Sequence, residues 1–391
     1  MLLLLLLLRP AHACRWAAYL GAEPLNASDL LVAPPHALAL QSHRPPFVPA
    51  LNESTLYDAR LAKRRDSKIN KDGFGVGYFD AEVASATPSR PLARASRSGE
   101  AVADAGGVPT ALARQVAAAV ASRVVFAHIR AGSGAKVEEY NAHPFVVATA
   151  PHVADPHVKH SRSLLFMHNG MVHDFETLKP KLLDHIGFER RQHIAGQTDS
   201  EHAGALLGHL LRQHKLSDSD APLPLPVLMD AVQQLVQHLD HLDADEDLSD
   251  IGGYPDLDGI AEAASPSGGG GGEDCAAAHS LNFAVSDGFS LVATRFRSCL
   301  SQEPPSLYFG TGRFDAETGA IEPGSGSILI ASEPLSGAGE AAAGWQLVHK
   351  DEMVGARLEG GSVAVTTRCL SVACEADKQA RAKLAQDQHE L

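Results

Sequence analysis

A chain of 391 residues with 45% hydrophobic content is long enough for one large domain or two ordinary ones around a substantial core. Its 33 Lys and Arg stand against 47 Asp and Glu, and the formal charge of -14 offers no basic footprint for nucleic acid or an acidic membrane. Small polar substrates or protein partners fit that balance, and the five cysteines (Cys14, Cys275, Cys299, Cys369, Cys374), odd in number and without CxxC spacing, suggest neither a disulfide framework nor a zinc site. A reducing, cytoplasmic setting is the natural expectation.

In chain order, residues 1–13 read MLLLLLLLRPAHA, a leucine tract followed by Arg9, Pro10 and Ala-His-Ala directly ahead of Cys14. The tract is too short to span a bilayer, which takes about 20 apolar residues. Three readings stand: a secretory-type leader that lacks the usual positive charge before its apolar core, a propeptide, or a mis-assigned start. Each can leave a free amine on Cys14.

Gly73, Gly75 and Gly77 lack GxGxxG spacing and lead instead into a buried strand at 76–79. The alanine-rich stretch 111–123 predicts a helix, and 124–129 a buried strand ending at Arg130. A further strand at 164–167 is expected to close in a polar turn, His168-Asn169-Gly170, before a helix at 178–186. Thr198-Asp199-Ser200-Glu201 has the form of a capping box ahead of a helix with Leu206, Leu207, Leu210 and Leu211 on one face. The run 227–242 is amphipathic, with Pro226 in its first turn; it holds His238 and His241, but no HExxH pattern, so no metal is expected. Between 243 and 278 the composition shifts to Asp, Gly, Pro and Ser, marking a flexible insertion. Short strands follow at 281–285, 290–294, 307–309, 327–331 and 345–348, either a β domain of their own or the completion of a sheet begun earlier. The tail beyond Glu375 is charged and helical in propensity.

A cysteine thiol, with an ordinary pKa of about 8.5, needs a base before it attacks a carbonyl. If Cys14 is the first residue, its own α-amine, with an ordinary pKa of about 7.7 to 8.0, can accept that proton directly or through a water. Attack on an amide creates an oxyanion, and Asn169-Gly170 offers a side-chain amide and an unobstructed N–H. A γ-glutamyl substrate carries a free α-carboxylate and α-ammonium; the planar guanidinium of Arg130 suits the first and Asp199 the second. Each has a plainer explanation: a buried structural thiol, a turn dipeptide, a surface ion pair, and a carboxylate at a helix N-terminus.

Six segments change the weighing: Cys14-Arg15-Trp16-Ala17-Ala18-Tyr19-Leu20-Gly21, Asp72-Gly73-Phe74-Gly75-Val76-Gly77-Tyr78, Ala127-His128-Ile129-Arg130-Ala131, Asn141-Ala142-His143-Pro144-Phe145, Phe166-Met167-His168-Asn169-Gly170 and Thr198-Asp199-Ser200-Glu201-His202. In this order they resemble the class II glutamine amidotransferase family, in particular its stand-alone branch, which includes a subunit of the glutathione-degrading Dug complex and an ergothioneine-pathway amidohydrolase. Residues 280–295, 306–312 and 331–335 share the likeness.

The resemblance implies an α+β fold, a four-layer αββα sandwich of the N-terminal-nucleophile hydrolase type. It makes 14–375 a single domain interrupted by the 243–278 insertion, with 1–13 ahead of it and a charged tail at 376–391. It implies Cys14 as nucleophile with its freed amine as base, Asn169 and Gly170 as oxyanion hole, Arg130 on the substrate carboxylate, Asp199 on the ammonium, and Ser133 helping to hold the glutamyl end. His128, His143 and His168 are expected to pack. No cofactor is implied; the partners are a small γ-glutamyl substrate and, in some members, a metallopeptidase-like or synthase subunit. One departure stands out. Where the family reads Met-Cys, this chain reads Ala13-Cys14, so a methionine aminopeptidase cannot expose the amine from the sequence as written.

Overall fold

The computed structural model describes residues 14–43, 70–80, 91–104, 106–132, 136–149, 162–213, 221–242, 275, 278–336 and 344–389. Among these the strands are β1 (Arg15–Asn26), β2 (Phe74–Phe79), β3 (Ala93–Ser98), β4 (Ala121–Ile129), β5 (Phe145–Ala148) and β6 (Ser163–Met171) in the first half. The second half adds β7 (Ser280–Ser286), β8 (Ser290–Arg295), β9 (Tyr308–Phe314), β10 (Ile321–Ala331), β11 (Gln346–Leu347), β12 (Glu352–Glu359) and β13 (Ser362–Cys369). Helices are α1 (Ser28–Leu31), α2 (Leu38–Gln41), α3 (Ala111–Ala118), α4 (Phe175–Ile186), α5 (Phe188–Arg191), α6 (Asp199–Gln213), α7 (Leu225–Asp240) and α8 (Val372–His389).

The period-2 alternation of the strands builds the layers. Seven strands form one sheet in the order β11-β9-β10-β1-β4-β2-β3, and six form a second in the order β13-β12-β8-β7-β6-β5. Trp16, Leu20, Phe126 and Ile328 from the first sheet meet Met167, Leu291 and Val354 from the second in a core between the sheets. The opposite face of the first sheet, with Tyr19, Val125 and Leu329, packs on Leu30 of α1, Leu38 of α2 and Ala113 of α3. The opposite face of the second, with Phe166, Phe283 and Val292, packs on Leu182 of α4, Leu207 of α6 and Leu235 of α7. Helix, sheet, sheet, helix is the result: an α+β four-layer sandwich in which the later strands complete both sheets.

Local rules explain where the elements depart from expectation. The alanine-rich helix stops at Ala118, and β4 begins at Ala121, because the β-branched run that follows pairs with β1 and β2. Thr110 caps that helix through its side chain, accepting from the Ala113 N–H. The expected turn at His168-Asn169-Gly170 is strand: these residues pair with Phe283, Asn282 and Leu281. The predicted 345–348 strand shrinks to two residues, while β1, β3, β5, β12 and β13 form where no particular strand was assigned from the sequence. Of the 243–278 insertion only residues 275 and 278 are described.

The cysteines overturn another expectation. Cys275 is bonded to Cys299 and Cys369 to Cys374, each pair with Cα atoms 5.5 Å apart, and Cys14 is the free cysteine. The first bond, across 24 residues, ties the end of the insertion to the loop leaving β8; the second, across five, ties the start of α8 to β13. Among the described residues no helix is long and apolar enough to cross a membrane.

Candidate active site

Cys14 sits at the head of β1, a strand flanked on both sides by β4 and β10. Arg15 pairs with Ile129, so one step further the cysteine faces the end of β4, where Arg130 and Ala131 lie. The Ala131 N–H donates to the Cys14 sulfur at 3.4 Å, and only 8% of the residue is exposed. Burial pushes the thiol pKa up; the Ala131 N–H, then Arg130 and Arg15, draw it back, and Asp199 adds to the rise. The sulfur is therefore held as a neutral thiol, and nucleophilic attack by it would need a base.

Arg130 is fixed by its backbone and side chain together. Its N–H donates to the Gly73 carbonyl at 2.8 Å, and its Nη1 donates to the carbonyls of Asp72 (3.2 Å) and Lys136 (3.3 Å). The Asp72 carboxylate accepts from the Gly132 N–H at 2.7 Å, clamping the segment that passes the sulfur. Ser133, the remaining candidate on this side, lies outside the described residues.

The second sheet supplies the other candidates. Asn169 is 1% exposed, and its side-chain oxygen has no hydrogen-bond partner among the described residues. Gly170 has φ +153°, and a Cβ there would stand 1.9 Å from the Ser280 carbonyl oxygen, so only glycine fits. Asp199 opens α6; its Oδ2 accepts from the Val172 N–H at 2.8 Å, and its Oδ1 from the Ser200 N–H at 2.7 Å. That carboxylate thus ties the end of β6 to the helix, and its charge reaches the Cys14 thiol. The capping box forms by half: Thr198 Oγ1 accepts from the Glu201 N–H at 3.3 Å, while Glu201 turns to the N–H groups of Ala195 and Gly196.

The three motif histidines are buried and join neighbouring elements. His143 Nδ1 and His128 Nε2 share a hydrogen bond of 2.7 Å, and burial lowers His128 to about 3 and His143 well below the ordinary range, so both are neutral. His168, also lowered by burial, donates from Nε2 to the Ser280 carbonyl at 2.9 Å, and its Nδ1 meets the Ser200 hydroxyl at 3.0 Å. His238 and His241 each bond through Nδ1 to the carbonyl four residues earlier, at 2.8 and 2.9 Å. A cavity of about 600 Å³ opens elsewhere, along β3 and Glu138–Tyr140, and neither Cys14, Asn169 nor Asp199 lines it.

Sequence reading carried Arg15, Asp72 and Glu333 inside motifs without giving them roles, and passed over His36. Arg15 is 3% exposed; its Nη1 donates to the Cys14 carbonyl at 3.2 Å and its Nε to Glu333 Oε1 at 2.6 Å. Glu333 Oε2 lies 2.8 Å from His36 Nε2. The available signal was a charge set directly beside apolar strand residues, since a charge so placed needs a partner.

A four-layer αββα sandwich with a buried cysteine leading a central strand is the architecture of the N-terminal-nucleophile hydrolases. Residues 52–241 match the family model of the class II glutamine amidotransferases. The match begins after β1, so the account of Cys14 rests on its own geometry. A probable glutamine amidotransferase of Saccharomyces cerevisiae, DUG3, is 27% identical over 336 residues, which cover 83% of this chain and 76% of that protein. Among solved structures, a glutamine aminotransferase class-II domain protein of Silicibacter pomeroyi is 20% identical with a TM-score of 0.44, over 92% of this chain and all of that one. The glutamine phosphoribosylpyrophosphate amidotransferase of B. subtilis is 14% identical with a TM-score of 0.45, over 92% of this chain and 50% of that one.

Proposed function

We propose that the chain hydrolyses the γ-glutamyl amide bond of glutathione or a related γ-glutamyl compound, through a thioester on Cys14. The observation that carries this reading is the setting of the Cys14 sulfur: buried at a strand head, against the Ala131 N–H, and within electrostatic reach of both Arg130 and Asp199. Of the charges around the thiol, Arg15 is paired with Glu333, and Arg130 and Asp199 match the α-carboxylate and α-ammonium of a glutamyl group.

Once the residues ahead of Cys14 are removed, its amine takes the thiol proton and the sulfur attacks the γ-carbonyl. The Asn169 side-chain amide, through its Nδ2 hydrogens, and the Gly170 N–H receive the oxyanion. Arg130 grips the carboxylate, Asp199 the ammonium, and Ser133 assists. Collapse expels the amine, which leaves with the proton, and water then cleaves the thioester.

Turnover of glutathione and of glutamine by the chain starting at Cys14, alone and with metallopeptidase-like or synthase partners, tests the proposal. Glutathione cleavage by the chain alone supports it; glutamine cleavage that rises only with a synthase favours an ammonia-delivering subunit. A native protein that retains residues ahead of Cys14 and turns over neither substrate is a non-catalytic partner. The disulfides bear on location: such bonds are rare in the cytosol, so counting free thiols in the native protein decides between a cytoplasmic and a secreted enzyme.

A further inference from the structure

An N-terminal residue is anchored to its protein on one side only. With no peptide bond before it, the torsion about its Cα–C bond swings the amine and the thiol together relative to the sheet. Holding the carbonyl oxygen fixes the plane of the Cys14–Arg15 peptide, and with it the position of Cα and the axis about which that torsion turns. In this molecule the Arg15 guanidinium does so, donating to the Cys14 carbonyl at 3.2 Å.

Arg15 in turn needs a counter-charge, because an arginine 3% exposed is costly to bury alone. Glu333 supplies it from just past the end of β10, at 2.6 Å from Arg15 Nε, and its own second oxygen is taken by His36 at 2.8 Å. The neighbouring residue fixes the approach: Ser332 Oγ accepts from the Trp16 N–H at 3.1 Å, and the Ser332 N–H donates to the Trp16 carbonyl at 2.9 Å. Arg15, Glu333 and His36 therefore form a buried chain that ends on the cysteine carbonyl.

We infer that Glu333, with His36 behind it, is a positioning residue that acts through Arg15 to set the Cys14 amine and sulfur in register for attack. This rests on the proposed N-terminal-nucleophile chemistry and goes beyond the substrate-binding roles already assigned. The charges facing the thiol are Arg130, Arg15 and Asp199; Glu333 meets the Arg15 guanidinium and the His36 ring, with the Tyr308 hydroxyl nearby. Burial raises the Tyr308 hydroxyl above its ordinary value, so it stays neutral through the working range.

The test uses Glu333→Gln, Arg15→Lys and the double variant, all starting at Cys14, with three readouts. These are kcat and KM on a γ-glutamyl anilide, the pH midpoint for alkylation of Cys14 by iodoacetamide, and the thermal midpoint. Misplacing a reacting group can cost about 100-fold, so Glu333→Gln is expected to lower kcat by roughly 10- to 100-fold. KM should change by less than about twofold, because glutamyl binding lies elsewhere. The alkylation midpoint should rise as Arg15 leaves the thiol, with the thermal midpoint held, and the double variant should lose no more than Arg15→Lys alone. Unchanged kcat and alkylation midpoint in folded Glu333→Gln overturn the inference. So does a loss of kcat that merely tracks the thermal midpoint, or that adds in full in the double variant. If Glu333→Gln does not fold, Arg15→Lys decides alone: an ammonium cannot grip the carboxylate and the carbonyl as a guanidinium does, so full activity in that variant overturns the inference. If the unaltered chain cleaves no γ-glutamyl anilide, glutathione or glutamine, the proposed function fails, and the alkylation midpoint still judges the positioning role.

Discussion

The two sheets contribute differently to the site. The seven-stranded sheet brings the thiol and its cationic surroundings, with Cys14 at the head of β1 and Arg130 just past β4. The six-stranded sheet and its helix layer bring Asn169 and Gly170 near the end of β6, and Asp199 at the start of α6. On the proposed mechanism, attack and charge stabilisation come from opposite sides of one apolar core, and their alignment depends on how that core is packed. A site divided in this way is sensitive to the distance between layers as well as to its own side chains.

The largest effect expected is from Cys14→Ala, which should abolish turnover while leaving the thermal midpoint nearly unchanged; residual activity refutes the mechanism. On the opposite sheet, Asn169→Ala should lower kcat by roughly 10² to 10³, the usual cost of one oxyanion donor, with KM little affected in steady-state kinetics. Gly170→Ala should match that loss and also lower thermal stability, because its Cβ would stand 1.9 Å from the Ser280 carbonyl oxygen. Arg130→Lys should act mainly on KM, raising it by about tenfold, since one ammonium does not reproduce the paired grip of a guanidinium.

A sharper comparison sets Phe126→Ala, between the sheets, against Leu207→Ala, between sheet and helix. Each should cost about 2 to 5 kcal/mol in denaturant unfolding, but only the first should also lower kcat of the folded enzyme. Equal kcat in both variants removes the argument from layer spacing.

The smallest effect concerns pH. Burial holds His128 at about 3 in the folded protein, below its ordinary 6.5, so the unfolded chain takes up the proton first as pH falls. Its contribution is full above about 6.5 and is lost progressively toward 3. Urea midpoints should be lower at pH 5.5 than at 7.5. Burial raises Asp287 and works in the opposite sense, so His128→Gln, which should flatten the dependence, isolates the histidine.

Helices α6 and α7 and strands β7 and β8 were legible because their apolar period survives in the sequence. Edge strand β3, ARASRS, and strand β13, SVAVTTRC, were not, since polar residues in partly exposed strands resemble loop. In the site, the motif residues Cys14, Arg130 and Asp199 come into one electrostatic neighbourhood. The Arg15–Glu333–His36 chain escaped because its members lie far apart in sequence and meet only once β10 is paired with β1. The Cys275–Cys299 disulfide escaped for a similar reason, since its partners lie 24 residues apart on either side of β7 and β8, whereas Cys369–Cys374, five residues apart, lacks the CxxC spacing that marks a local pair.

The place of β1 has a consequence during synthesis. One flank of this strand is β10, at Ile321–Ala331, and the Arg15 counter-ion lies 318 residues downstream. A growing chain on the ribosome therefore holds its cysteine strand with one edge open until translation is nearly finished. On the proposed mechanism, the cysteine site is therefore not complete until β10 and Glu333 have emerged, and chains truncated before them should lack γ-glutamyl amidase activity.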